Sequence, residues 1–270
     1  NVTNAFGLGM GCTDGTCGSL VGAGVILGLA RKDKAQSMKD MKMDILMPKE
    51  SKGHKHWPLI VWLCGGGFTS MDHHIWIPEL MEYARKGYVV ASVQYRVKGE
   101  GEFPAPLIDI KSAIRYLRAH SEQYCIDTEK ITVMGESAGG CLAALTGLTS
   151  GSTVFDIGEY LDFSSEVNNV VSFYGPVFEE KDIVGLVPPF EFAYGASEKG
   201  LKIPQLLLQG DADKMVDKSL MDKYQKKLDY YKVPNQYVVI EDAGHGDAMF
   251  YQTEIKELVD RFIRENTAEN

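Results

Sequence analysis

The sequence predicts an α/β protein whose core is a mostly parallel sheet flanked by helices. Three observations lead there. Consecutive apolar runs recur at residues 59–63, 88–95 and 131–134, and such runs suit strands buried on both faces. A stretch such as 107–120 instead places Leu107, Ile110, Ile114 and Leu117 at helical spacing. The two patterns alternate to the C-terminal end, as repeated βαβ units do. In such sheets the working residues lie beyond the carboxyl ends of the strands.

Taken in order, residues 1–19 are Gly-rich and irregular. Residues 21–30 have strand character, weakened by Gly22, Gly24 and Gly28. MKMDILMP (41–48) alternates apolar and polar residues and stops at Pro48. WPLIVWLCGGGF supplies a buried strand over 59–63 that ends in three glycines, and YVVASVQY (88–95) supplies the next. A helix is expected over 107–120, a strand over 131–134, and a helix of small and apolar residues over 138–148. Strands follow at 170–174, 205–209 and 236–240, with helices at 219–231 and 253–264. The Lys-rich stretch 214–232 has Asp and Tyr interspersed and reads as a solvated helix face. Two stretches, 150–168 and 178–201, fit no regular layer, and loops of that length in a compact domain are usually lids or binding loops. No repeat, low-complexity tract or linker divides the chain. A single domain over 1–270 is expected, with 1–40 as an N-terminal extension and the two stretches as small lid-like insertions near the active site.

Composition narrows the partners. The chain has 270 residues, 44% of them hydrophobic, enough for a large core without disulfide staples. Its net charge of −9 and the lack of a dense Lys/Arg block argue against a nucleic-acid surface. No stretch reaches the ~18 apolar residues of a membrane span. Residues 20–30 lack the flanks of a signal peptide, while Asn1 rather than Met at the start allows an upstream segment to have been removed. A soluble protein, cytoplasmic or secreted, is expected. Cys64 and Cys141 read as free thiols, while Cys12 and Cys17 pair only in an oxidising compartment.

The chemistry starts at ITVMGESAGGCLAAL. One Gly-x-Ser-x-Gly match arises by chance in such a chain with probability of roughly 0.15, so the motif needs partners. Ser137 follows a strand and precedes a helix, and Gly135 and Gly139 remove the side chains that a tight strand-to-helix turn would crowd. A hydroxyl needs a base, and the base needs an orienting group. His245, in EDAGHGDAMF, and Asp213, in LLLQGDADKMV, each follow a predicted strand, and the order Ser, Asp, His is that of a hydrolase triad. Asp211 competes with Asp213; analogy alone to the motif of such triads, which places the acid three residues after the glycine, favours Asp213 and leaves Asp211 to cap the turn, while Asp242 and Asp247 sit too close to His245 in the chain. The glycines of LCGGGF leave backbone N–H groups bare after a strand, and these with the N–H of Ala138 could converge on an oxyanion.

These motifs, LCGGGF, GESAGG, GDAD and AGHG, together with FPAPLIDIKSAIRYLRAH, resemble the α/β-hydrolase esterases of the hormone-sensitive-lipase type, in particular the bacterial acetyl-esterase and feruloyl-esterase-like group. The similarity runs from about Met41 to the C-terminal end. It implies an α/β-hydrolase fold, with Ser137 as nucleophile, His245 as general base, Asp213 as its orienter, and Gly66, Gly67 and Ala138 as oxyanion donors. It implies no cofactor and a small ester or acylated saccharide as substrate. The family usually has His where this chain has Cys64, which implies altered support of the glycine loop rather than altered chemistry. A peptidase of the same fold and a non-catalytic binding protein are the alternatives.

Around this centre, Phe68, His73, His74, Trp76 and Phe190 are candidates to line the substrate pocket. His73 and His74 also raise a metal question. Adjacent side chains are expected to face different ways, and no acid stands at helical spacing from them, so no metal site is expected. Arg96 and Asp109 are expected to form a structural ion pair. Gly22-Ala23-Gly24 lacks the third glycine of a dinucleotide fingerprint.

Overall fold

The computed structural model describes residues 26–32, 40–49, 56–101, 103–177, 193 and 196–267. Cys12, Cys17, Phe190 and the expectations placed on them lie outside the described residues, as does most of 178–201. In chain order the elements are β1 (Ile26–Lys32), β2 (Asp40–Leu46), β3 (Trp57–Leu63), α1 (Ile77–Arg85), β4 (Val89–Val93), α2 (Ala105–Ala119) and α3 (Ser121–Tyr124). There follow β5 (Ile126–Glu136), α4 (Ala138–Leu148), β6 (Asn169–Phe173), β7 (Gln205–Gly210), α5 (Lys218–Tyr230), β8 (Asn235–Ile240) and α6 (Thr253–Thr267).

Eight strands make one sheet in the order β1-β2-β4-β3-β5-β6-β7-β8. β1 pairs antiparallel with β2, and β2 antiparallel with β4; from β4 to β8 every pairing is parallel. Parallel pairing buries both faces, and the continuous apolar runs are its consequence. Alternate residues divide cleanly. Leu59, Val61, Leu63, Val133 and Leu207 face α2, α4 and α5. Ile60, Trp62, Met134, Val171, Leu206 and Leu208 face α1 and α6. Each fully buried Leu, Ile or Val contributes roughly 1.5–3 kcal/mol relative to exposure, so both faces bind the sheet to its flanking helices.

Two local features were not legible as a simple run. The helix α1 is announced by Pro78 in its first turn and by Leu80, Met81 and Ala84 at helical spacing, all three buried. Strand β5 begins five residues before its apolar run. Ile126 and Asp127 pair with Trp57 and Pro58, a register shift follows, and Ile131 then resumes the ladder opposite Leu59.

The stretch 150–168 has no helix or strand, and it is held along α2 by three basic residues one helical face apart. Lys111 Nζ donates to the Thr149 and Ser152 carbonyls and to Ser165 Oγ. Arg115 donates to Asp156, Ile157 and Glu159, and Arg118 to the Glu166 carbonyl. Arg96 and Asp109 form the expected pair: Nη2 lies 2.7 Å from Oδ1 and Nε 2.8 Å from Oδ2, both side chains being buried. Helix α5 buries only Met221, Tyr224 and Leu228, so the rest of its surface is solvated. Among the described residues no helix is long and apolar enough to cross a membrane.

Candidate active site

Ser137 stands between β5 and α4 with φ 53° and ψ −122°, a conformation that costs a non-glycine residue about 1–3 kcal/mol. Its neighbours hold it there. Its N–H donates to the Phe173 carbonyl at 2.9 Å, and its carbonyl accepts from Cys141 N–H at 3.0 Å. The helix start packs so closely on the end of β3 that a Cβ at Gly139 would fall on the Leu63 carbonyl oxygen, and one at Gly135 would stand 2.6 Å from the Gly139 backbone. The two glycines of the motif are thus required by a backbone-to-backbone approach.

The loops after β5, β7 and β8 meet at the carboxyl edge of the sheet. His245 Nε2 lies 3.0 Å from Ser137 Oγ, and His245 Nδ1 lies 2.8 Å from Asp213 Oδ2. Asp213 is buried and further fixed by donors: Gln209 Nε2 at 3.2 Å on Oδ2, and the Met215 and Val216 N–H groups at 2.8 and 2.9 Å on Oδ1. A carboxylate that only accepts sets the imidazole tautomer: Nδ1 carries the proton and Nε2 presents its lone pair to the serine hydroxyl. Asp211 instead accepts the Asp242 N–H at 2.7 Å, a bond to the loop after β8 and not within its own turn. Asp247 caps the short 3-10 turn Ala248–Tyr251 through Met249 N–H.

After β3 the chain turns through Gly65, Gly66 and Gly67. Gly66 has φ 131°, and a side chain there would collide with the Ser70 carbonyl, whose residue closes the turn by donating N–H to Gly66 O at 3.2 Å. Gly65 N–H donates to Glu136 Oε1. The same oxygen accepts from Trp76 Nε1 at 3.2 Å and lies 3.7 Å from Cys64 Sγ. Burial and the Glu136 carboxylate push the Cys64 thiol up to about 12, so it stays protonated near neutral pH. The Cys64 carbonyl accepts from the Tyr95 hydroxyl at 2.5 Å. The loop is therefore supported by Glu136 and Tyr95, two residues that the motif reading did not single out.

Two other residues expected in the pocket have defined surroundings. Phe68 is buried in the core on the α2 face. Trp76 stacks on Tyr251, with ring centroids 4.4 Å apart. Tyr251 in turn hydrogen-bonds Tyr174 at 3.0 Å, and the Tyr174 ring packs edge-on against His245 at 4.7 Å. Tyr174 follows β6 with φ 39°, and only its place at a strand's carboxyl end signals it in the sequence. A shallow depression beside the imidazole is lined by Ala212, Lys214, Met215 and Gly244, with Met215 largely exposed.

His73 and His74 correct the sequence expectation. Their rings do not face apart; they lie tilted at 38° to each other with centroids 3.9 Å apart, and His73 is buried. Both turn to Asp44 on β2, an acid that no local spacing pairs with them, because the antiparallel β2–β4 register brings it in. Burial beside His74 holds the His73 imidazolium down, to about 4. These two residues lie against β2 rather than against the serine.

The BD-FAE family model matches residues 43–182, just over half of the chain. The chain belongs to the BD-FAE family. Esterase LipC of Mycobacterium tuberculosis is 32% identical to this BD-FAE chain over 119 residues, covering 44% of the chain and 30% of LipC. The probable carboxylic ester hydrolase LipM of the same organism is 30% identical over 119 residues, covering 44% of the chain and 27% of LipM. The matched part of the BD-FAE chain thus spans less than a third of the length of these curated relatives. Among solved structures, the esterase Est2 of Thermogutta terrifontis with propionate bound superposes with a TM-score of 0.72 at 23% identity, covering 88% of this chain and 94% of that one. A truncated carbohydrate esterase from gut microbiota superposes with a TM-score of 0.71 at 22% identity, covering 90% and 97%. The fold of this BD-FAE chain is that of the α/β-hydrolase esterases.

Proposed function

We propose that the chain is a serine carboxylic-ester hydrolase working through an acyl-enzyme. The observation that carries this reading is the unbroken series Ser137 Oγ, His245 imidazole and Asp213 carboxylate, at 3.0 and 2.8 Å. Ser137 Oγ attacks the ester carbonyl as His245 Nε2 takes its proton; Asp213 holds Nδ1 and stabilises the imidazolium that forms. The N–H groups of Gly66, Gly67 and Ala138 bind the developing oxyanion. Each such donor is worth about 2.7–4 kcal/mol in the transition state. His245 then protonates the departing alcohol, activates water, and the acyl-enzyme is hydrolysed. The substrate is a short-chain acyl or aromatic ester of the acetyl or feruloyl type, on a simple alcohol or a saccharide. The family match, the propionate-bound neighbour and the carbohydrate-esterase neighbour support that class.

The test is turnover of p-nitrophenyl acetate by wild type and Ser137→Ala, with circular dichroism to establish the fold. The variant should lose on the order of 10⁵-fold in kcat, and a fluorophosphonate probe should label wild type at Ser137 only. Turnover retained by a folded Ser137→Ala chain overturns the assignment. A panel of acetyl, butyryl, octanoyl and feruloyl esters then ranks the acyl group.

A further inference from the structure

Asp44 on β2 stands opposite Ser92 on β4, and Ser92 Oγ donates to the His73 carbonyl at 2.6 Å. The loop before α1 is thereby fixed over β2. His73 Nε2 lies 3.7 Å and His74 Nε2 3.3 Å from the same oxygen, Asp44 Oδ2, and one ligating atom from each of the three residues lies within 4.8 Å of the other two. Nitrogen and oxygen ligands at about 2.0–2.2 Å from a tetrahedral ion stand roughly 3.3–3.5 Å apart. The two nitrogen–oxygen separations, 3.3 and 3.7 Å, are close to that spacing.

The surroundings point the same way. Asp72 Oδ1 accepts His74 Nδ1 at 2.8 Å and the His74 backbone N–H at 3.0 Å. A carboxylate behind one ring nitrogen fixes the tautomer and leaves the other nitrogen to ligate, as behind metal-bound histidines. Asp44 and Asp72 supply two negative charges, matching a divalent cation. Asp44 and His73 are buried, whereas the His74 side chain is 53% exposed, which gives an ion a way in and leaves a fourth position to water.

We infer that Asp44, His73 and His74 form a binding site for a divalent first-row transition-metal ion of the Zn²⁺ type, with Asp72 as the carboxylate behind His74. Zinc suits two imidazoles and one carboxylate with an open fourth position. The ion would join β2 to the segment between β3 and α1, which begins with the glycine loop and ends at Trp76. It plays no part in the ester chemistry; it fastens the segment on which that loop is carried.

The experiment uses the full chain, stripped with a chelator, incubated with Zn²⁺ and freed of excess by gel filtration. Bound metal is measured by elemental analysis and stability by thermal unfolding. Wild type should retain about one zinc per chain and melt at a higher temperature with zinc than without. His245→Ala, which removes the triad imidazole, should retain the metal equally. Asp44→Asn and the half-exposed His74→Ala should lose it, and Asp72→Asn should bind at least about tenfold more weakly. His74→Ala remains informative if Asp44→Asn misfolds. Wild type without bound zinc, zinc binding unchanged in folded His74→Ala, or binding abolished by His245→Ala would each overturn the proposal.

Discussion

Glu136 accepts the backbone N–H of Gly65, so the residue immediately before Ser137 also fastens the first glycine of the loop after β3. The carboxylate is buried and draws in Trp76 Nε1 as well. The end of β5 and the segment from Gly65 to Trp76 are therefore one mechanical unit. Hydrogen bonds to a charged group contribute about 1.5–3 kcal/mol each, more than neutral ones.

From this follows the behaviour of Glu136→Ala. Loss of the carboxylate frees Gly65 and lets the neighbouring N–H groups of Gly66 and Gly67, the proposed oxyanion donors, drift. The expected result is a fall in kcat of about 10- to 100-fold, less than the roughly 10²- to 10³-fold of an outright lost oxyanion donor because the donors are displaced and not removed, with KM changed far less. Glu136→Gln keeps an acceptor oxygen and should recover part of the loss. Steady-state kinetics on p-nitrophenyl acetate decide it: a Glu136→Ala chain within twofold of wild type in kcat removes the positioning role.

Gly139→Ala probes the elbow itself. The added methyl meets the Leu63 carbonyl oxygen, a backbone atom in the centre of the sheet that cannot turn aside. Overpacking of this kind costs typically 1–3 kcal/mol, and about the upper end is expected here. Urea denaturation of the two chains measures it. A midpoint indistinguishable from wild type means that the helix start has room that the structure denies it.

How far the sequence could be read depends on the distance over which each interaction acts. The buried strands were legible because parallel pairing writes itself as continuous apolar runs such as 59–63. Ser137, Asp213 and His245 were legible because each follows such a run, and the sheet brings strand ends to one edge. Glu136 was not, since a motif written Gly-x-Ser-x-Gly treats its position as a spacer. The Asp44 contact with His73 and His74 was not, because it arises from the register of β2 against β4 and not from local spacing. Residues 150–168 looked like unstructured insertion because the groups that order them, Lys111, Arg115 and Arg118, stand on a distant helix.

The Arg96–Asp109 pair should behave as a buried clamp. Removing one partner leaves an uncompensated charge and is expected to cost about 3–5 kcal/mol. Replacing both with apolar groups of similar volume removes the two desolvation costs together. Arg96→Met with Asp109→Leu should therefore be less destabilised than the sum of the single variants, a coupling that a double-mutant cycle in urea isolates. Additive single and double variants would show that the pair does not act as a unit.

Lys111 gives a prediction in pH. Burial lowers its ammonium from 10.5 to about 8, although Nζ donates to the Thr149 and Ser152 carbonyls and to Ser165. Between about 8 and 10.5 the unfolded chain therefore holds a proton that the folded chain has released. Stability rises with pH wherever the unfolded state binds more protons, so this lysine lowers stability below pH 8 relative to its value above 10.5. Lys111→Met removes the dependence but leaves three acceptors without their donor. The wild-type chain should accordingly gain stability relative to Lys111→Met as the pH rises from 7.5 to 10, while the other lysines and the tyrosines titrate alike in both. Urea midpoints of the pair at the two pH values measure the difference, and a gap that stays constant, or that narrows in favour of the variant, contradicts a depressed ammonium in the fold.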